Sequence, residues 1–176
     1  MILNRAIKMR IYLDDEQRHK IDVTLNHCRY IYNKMLERNN VIYKRRKEHL
    51  NYYAMQNLLP EMKKYLPWLK EADSQALKHA CRQLNTAFDR FFHKTGGYPK
   101  FHTKHGRQSY TTTNTKVICI EPHRVKLPCL GWIRIPETRI PDGSICYATV
   151  SLEADKRYYV SITYKKEVPD ITPVAP

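Results

Sequence analysis

A strand-like segment with no nearby partner sets the topology of this chain. In residues 2–12, Ile7, Met9 and Ile11 alternate with Lys8, Arg10 and Tyr12, the period of a half-buried strand. The residues after it have a helical period. Asp14 with Asp15, Glu16 and Gln17 reads as a cap and an acidic first turn. Ile21, Leu25, Cys28, Tyr32 and Met35 follow at spacings of three and four, which predicts a helix over 14–48. A second helix is expected over 51–64, broken or offset by Pro60. A connector at Pro67-Trp68-Leu69 leads to a third helix over 74–94, capped by Asp73 or Ser74. Gly96-Gly97-Tyr98-Pro99 ends it.

Beyond about residue 115 the pattern becomes strand-like. Val117–Ile120, Val125–Leu127, Trp132–Ile135, Ile145–Leu152 and Tyr158–Tyr164 are short β-branched or aromatic runs separated by turn residues. They suggest a small antiparallel barrel or sandwich. The first strand then finds its partner there, with the helices inserted between the first and second strands. The fold class expected is α+β, a small antiparallel β-barrel with a helical domain inserted after the first strand. The expected divisions are 1–12 (first strand), 13–112 (helical domain with a basic loop), 113–167 (rest of the barrel) and 168–176 (linker).

Charge indicates the partner. The chain has 31 Lys and Arg against 17 Asp and Glu, a net of +14. Such a surplus repels itself unless an anion relieves it, and polyphosphate backbones do so by releasing counterions. Residues 1–110 hold a net of +12 and residues 111–176 only +2, which places the basic function in the first part. From Arg90 to Ile120 there is no Asp or Glu, while six Lys or Arg interleave with Tyr98, Phe101 and Tyr110. Cations for phosphate and aromatic faces for unpaired bases are what single-strand binding requires.

Other classes have less support. The five cysteines, Cys28, Cys81, Cys119, Cys129 and Cys146, include no CxxC pair and read as reduced, mostly buried thiols. His102 and His105 lack cysteines at finger spacing, so no metal and no cofactor is expected. No Gly-rich phosphate loop, paired-carboxylate motif or Ser/Cys–His signature occurs, which argues against an enzyme. No apolar run reaches the roughly 20 residues of a membrane span, and the N-terminus is unlike a signal peptide. A cytoplasmic, nucleoid-associated protein with no membrane partner is expected.

Six short blocks, in order, resemble one family. They are Arg10-Ile11-Tyr12-Leu13 with Gln17; Cys28-Arg29-Tyr30-Ile31-Tyr32-Asn33; Trp68-Leu69-Lys70-Glu71 with Ser74-Gln75-Ala76-Leu77; Tyr98-Pro99-Lys100-Phe101; Arg107-Gln108-Ser109-Tyr110-Thr111-Thr112; and Val125-Lys126-Leu127-Pro128 with Gly131-Trp132-Ile133-Arg134. Together they resemble the N-terminal half of the TnpB (OrfB) family of transposon-encoded RNA-guided nucleases, which are similar to compact type V CRISPR effectors. The family's older description of this segment is a helix-turn-helix domain of a transposase, implying DNA binding and transposition of an insertion sequence.

The resemblance implies a wedge barrel interrupted by a helical recognition domain. The two would hold a guide RNA and read a short duplex motif beside the target. A RuvC-like nuclease domain with three carboxylates and a zinc ribbon normally follows. The chain ends at Pro176, about where that domain would begin, so nuclease activity is not expected of it alone. The resemblance carries duplex DNA readout to Tyr52, Ser74, Gln75, Lys78, Asn114 and Thr115. Amides suit adenine and Lys suits guanine, which supports Gln75, Lys78 and Asn114. On the residues alone, Ser74 reads as a helix cap and Gln75 as a solvated first-turn residue. Arg5, Lys8, Arg10, Lys100, Lys104 and Arg107 are assigned to RNA phosphates. Guide RNA and double-stranded DNA are thus the expected partners, with a separately encoded nuclease half or a dimer partner as further candidates. The alternatives are a standalone DNA-binding regulator and a fragment without function.

Overall fold

The computed structural model describes residues 1–170, and among these the strands form two antiparallel sheets joined to a helical unit. β1 (Ile2–Arg10) opens the chain. Three helices follow, α1 (Asp15–Arg46), α2 (Tyr52–Tyr65) and α3 (Ser74–Phe92), with a 3₁₀ turn at Pro67–Glu71 before α3. Six strands complete the order: β2 (Gln108–Thr112), β3 (Cys119–Glu121), β4 (Arg124–Leu127), β5 (Gly131–Arg134), β6 (Ser144–Leu152) and β7 (Tyr158–Glu167).

The unpartnered first strand does cross back. β1 pairs with β7 over its whole length, Ile7 opposite Ile162 and Met9 opposite Val160, so four buried apolar side chains meet on one face. The larger sheet runs β1-β7-β6-β2 and the smaller β3-β4-β5. The sheets meet at one bridge between Tyr12 and Arg134, where the Tyr12 amide donates to the Arg134 carbonyl at 2.9 Å. The mixed α+β class is therefore present, but the described strands group as two sheets rather than one closed barrel. A single bridge cannot carry a continuous hydrogen-bond ladder around a barrel. Gly143 is required where β6 begins: a Cβ there would meet the Lys165 carbonyl oxygen at 2.0 Å.

The helices follow their expected bounds closely. Asp14 and Gln17 form a reciprocal capping box at the start of α1. Lys47 closes α1 in the left-handed conformation, after Lys44, Arg45 and Arg46 at the negative pole of the dipole. Pro60 does not break α2. It is exposed, so water can satisfy the carbonyl whose amide partner it removes.

β2 is the joint between helices and sheet, and its strand character is absent from the sequence pattern. Gln108–Thr112 lies within the stretch read as a basic loop, yet it pairs with β6 and packs on α1 and α3. Its period is masked because Tyr110, Thr111 and Thr112 are all buried in succession, with α1 and α3 packed against the strand. α1 is fastened at its other end by Gln17, whose side chain donates to the Trp132 carbonyl at 2.8 Å, and by Tyr158, whose hydroxyl donates to Asp22 at 2.7 Å. Val168, the first residue of the expected linker, still exchanges two backbone hydrogen bonds with Met1 at 3.0 Å. The rest of that linker, from 171 onward, lies outside the described residues. Among the described residues, no helix is long and apolar enough to cross a membrane.

Candidate nucleic-acid interface

The residues assigned to duplex readout lie along the α2–α3 pair. Ser74, Gln75, Lys78 and Arg82 succeed one another on α3 at spacings that share a face. α2 runs antiparallel beside them: Lys63 Nζ donates to Ser74 Oγ at 2.8 Å, and the Arg82 guanidinium lies over the Tyr52 ring at 4.3 Å. Tyr52 therefore sits at the far end of this surface from Ser74.

A buried carboxylate joins α3 to the end of β2. Asp73 caps α3 by accepting from the Gln75 amide at 3.2 Å, and its other oxygen accepts from the Thr112 hydroxyl. Thr113 donates to Gln75 Oε1 at 3.3 Å. These bonds bring the turn holding Asn114 and Thr115 to the start of α3, although nearly forty residues separate them in sequence. The cap belongs to Asp73, leaving the exposed Ser74 hydroxyl to the Lys63 ammonium. Lys63 completes a cationic cluster with Lys70 and Lys78. Burial, then repulsion from Lys78, lowers its pKa from the ordinary lysine value, a strain that a nearby anion would relieve. No sequence period marked Lys63, because the contact depends on how two helices pack.

The residues assigned to RNA phosphates divide into separate places. Lys8 and Arg107 both face Glu153, at 2.9 and 3.7 Å, so part of their charge is already answered within the protein. Arg10 lies over the Tyr12 ring at 4.9 Å. Arg5 does not join them; its parity on β1 is that of Ile7, and it lines a depression with Arg139 and Asp142. Lys100 and Lys104 are exposed, on the connection between α3 and β2.

That connection is pinned rather than loose. Asn33 of α1 pairs with the His102 backbone in both directions, donating to its carbonyl at 3.0 Å and accepting from its amide at 2.8 Å. The His102 ring stacks on Tyr32 with centroids 3.7 Å apart, and Tyr98 donates to Asn40 at 2.6 Å. The expectation that Tyr98, Phe101 and Tyr110 offer stacking faces fails for two of the three. Tyr110 is buried and Tyr98 packs edge-on against Phe88 and Phe91, while Phe101 is exposed.

A stronger stacking surface lies in the part expected to be nearly neutral. On the exposed faces of β4 and β5, Arg124 sits over the Trp132 ring at 4.1 Å, with Lys126 opposite Trp132 in register. Arg134 lies over Tyr12 at 5.7 Å, so Arg10, Tyr12, Arg134, Arg124 and Trp132 form one basic and aromatic band. Alternation in two short strands and a bridge to β1 assemble it, and net charge per segment could not report it.

The cysteines also depart from expectation. Cys28 and Cys81 are buried, and burial raises both thiols, Cys81 to about 12, but Cys119 and Cys129 are exposed. Among the described residues, no three His, Cys, Asp or Glu side chains gather where they could hold a metal ion.

Comparison with known proteins agrees with the resemblance read from the motifs. Residues 1–48 match the family model described as a helix-turn-helix domain, of the OrfB/IS605 type. In this chain that span holds β1 and the single helix α1, so the two helices of the name are not both within it. The chain is 29% identical over 174 residues to the "Putative RNA-guided DNA endonuclease InsQ" of Escherichia coli (strain K12), a match covering 98% of this chain and 42% of that protein. It is 30% identical over 174 residues to a "Putative RNA-guided DNA endonuclease" of Streptomyces pristinaespiralis, covering 91% of this chain and 41% of the relative. The chain thus spans about 42% of the length of the curated relatives it matches. By these matches and the six ordered motifs, the chain is similar to the TnpB/OrfB family, with the family's helix-turn-helix model matching residues 1–48.

Proposed function

We propose that these residues form a nucleic-acid recognition module that binds a guide RNA and reads a short target-adjacent DNA motif, without cutting DNA on its own. The observation that carries this reading is the Asp73–Thr112 link, which sets Gln75, Lys78, Asn114 and Thr115 at one end of the α2–α3 face beside Lys63. Amides and a lysine on a helix face suit base edges in a major groove. The band from Arg10 to Trp132 suits a strand with unpaired bases, as RNA presents. The helical unit would be the reader and the two sheets the wedge that carries RNA. Two-metal cleavage needs converging carboxylates, whereas the cations, amides and aromatic rings of these two surfaces are suited to binding.

The test is fluorescence anisotropy on the 176-residue chain with structured RNAs, a library of duplexes and scrambled controls. We expect tight RNA binding, and a duplex preference confined to a few base pairs that weakens when Gln75 or Lys78 is replaced. Binding equal for all nucleic acids, unaffected by either replacement, would refute base reading. Mg²⁺-dependent cleavage by this chain alone would refute the recognition-only role.

A further inference from the structure

Between α1, α3 and the connection leading to β2 lies a cleft of about 480 Å³ that shares only Arg82 and Arg107 with the surfaces above. Arg29, Arg82, Arg90 and Arg107 line it, with His79 and His102, and no lining residue among those described is Asp or Glu. Four guanidinium groups around one small space repel one another unless an anion enters. Two are engaged elsewhere: Arg82 on the Tyr52 ring, and Arg107 at 3.7 Å from Glu153. The other two have no ion-pair partner among the described residues. Arg29 donates from Nη2 to Asn26 at 2.9 Å, but its Nη1 is buried with no hydrogen-bond partner among the described residues. Buried donors left unmet are rare and costly, so an orphan guanidinium nitrogen in a cationic cleft indicates an absent acceptor. Arg90 is exposed and has no ion-pair partner among the described residues.

The rest of the lining suits more than a bare anion. Gln83, Gln108, Ser109 and Thr103 supply hydrogen-bonding groups, while the exposed His102 ring, stacked on the buried Tyr32, supplies a flat face. The volume falls within the range of about 300–1,000 Å³ that takes a single small molecule, and it cannot admit a duplex. We propose that this cleft receives one unpaired nucleotide of a bound strand, its phosphate held by Arg29 and Arg90 and its base by Gln83, Gln108 and the His102 ring. The inference rests on the nucleic-acid reading and gives it a defined site. It also gives a role to the second motif block: Arg29 meets the phosphate, Tyr32 backs the His102 ring, and Asn33 holds the His102 backbone in place.

The test is calorimetric titration of the 176-residue chain with the four nucleoside 5′-monophosphates, the matching nucleosides and inorganic phosphate. Nucleotides should bind, nucleosides should not, and inorganic phosphate should bind more weakly than nucleotides. Arg90→Gln lies on the surface and should fold; it should weaken nucleotide binding about tenfold or more, the loss of one charge-assisted contact. Arg29→Lys keeps the charge but not the fork and should weaken binding similarly. Nucleosides binding as tightly as nucleotides, phosphate as tightly as nucleotides, or an unchanged affinity in Arg90→Gln would each overturn the proposal. If the chain binds its RNA but no nucleotide, and Arg90→Gln leaves RNA affinity intact, this inference falls and the recognition function stands. If it binds nucleotides in the cleft but no RNA or DNA, the site stands and the recognition function falls.

Discussion

Replacing Thr112 with Val tests whether Asp73 is the joint that builds the reading surface. The two side chains are nearly isosteric, so β2 and its pairing with β6 should survive. What is lost is the hydroxyl that donates to Asp73, which is 9% exposed. A hydrogen bond to a buried charged group contributes about 1.5–3 kcal/mol. For a chain of this size each kcal/mol lowers the melting temperature by roughly 2–4 °C, so Thr112→Val should melt about 3–12 °C lower. Asp73→Ala loses the same bond and also the cap of α3, a further ~1 kcal/mol. Because one bond is common to both, the double variant should melt close to Asp73→Ala alone rather than at the sum. The turn holding Asn114 and Thr115 should also separate from Gln75, and duplex motif preference should fall by about 1–3 kcal/mol. RNA affinity and its salt slope should be unchanged, since no phosphate contact is removed. Thermal melts and anisotropy on the four-member cycle check this. A Thr112→Val variant with the parent melting temperature, or strictly additive losses, would refute the reasoning about the joint. A destabilised variant that keeps full motif preference would refute its link to readout.

Glu153→Gln should free Lys8 and Arg107 for phosphate, raising affinity for every sequence and steepening the slope of log affinity against log salt by about 1–2 units, read from a salt titration. Trp132→Ala should weaken single-stranded RNA binding by about 1–3 kcal/mol and leave duplex binding unchanged in competition anisotropy. Stability should fall as pH drops from about 6.5 towards 5. Burial holds the pKa values of His27, His79 and His102 below the ordinary histidine value, reinforced by Arg82 at His79 and Arg29 at His102. The unfolded chain therefore takes up protons first as pH falls, so the stability present above pH 6.5 is lost below it. Urea melts of the parent and a His79→Gln variant should show a weaker pH dependence in the variant.

Much of this protein was determined by sequence alone. The period of 3.6 residues from Ile21 to Met35 and from Leu77 to Phe88 fixes two amphipathic helices, because side chains on one face must find a common core. The period of two in Ile7, Met9 and Ile11 required a strand, and its lack of neighbours required pairing far along the chain, which β7 supplies. Ordered motifs carried the family resemblance. Tertiary structure decided the rest. β2 was hidden because burial on both faces erases alternation. The strands settled as two sheets because they share one bridge instead of a closed ladder. Lys8 and Arg107, assigned to RNA phosphates, meet at Glu153, and Tyr110, read as a stacking face, turned into the core. Lys63, the Arg124–Trp132 band and the cleft around Arg29 are not legible as units in the sequence, since their members come from different elements. Local pattern reports which face of an element is buried; which faces meet depends on packing over long separations, and the binding surfaces arise there.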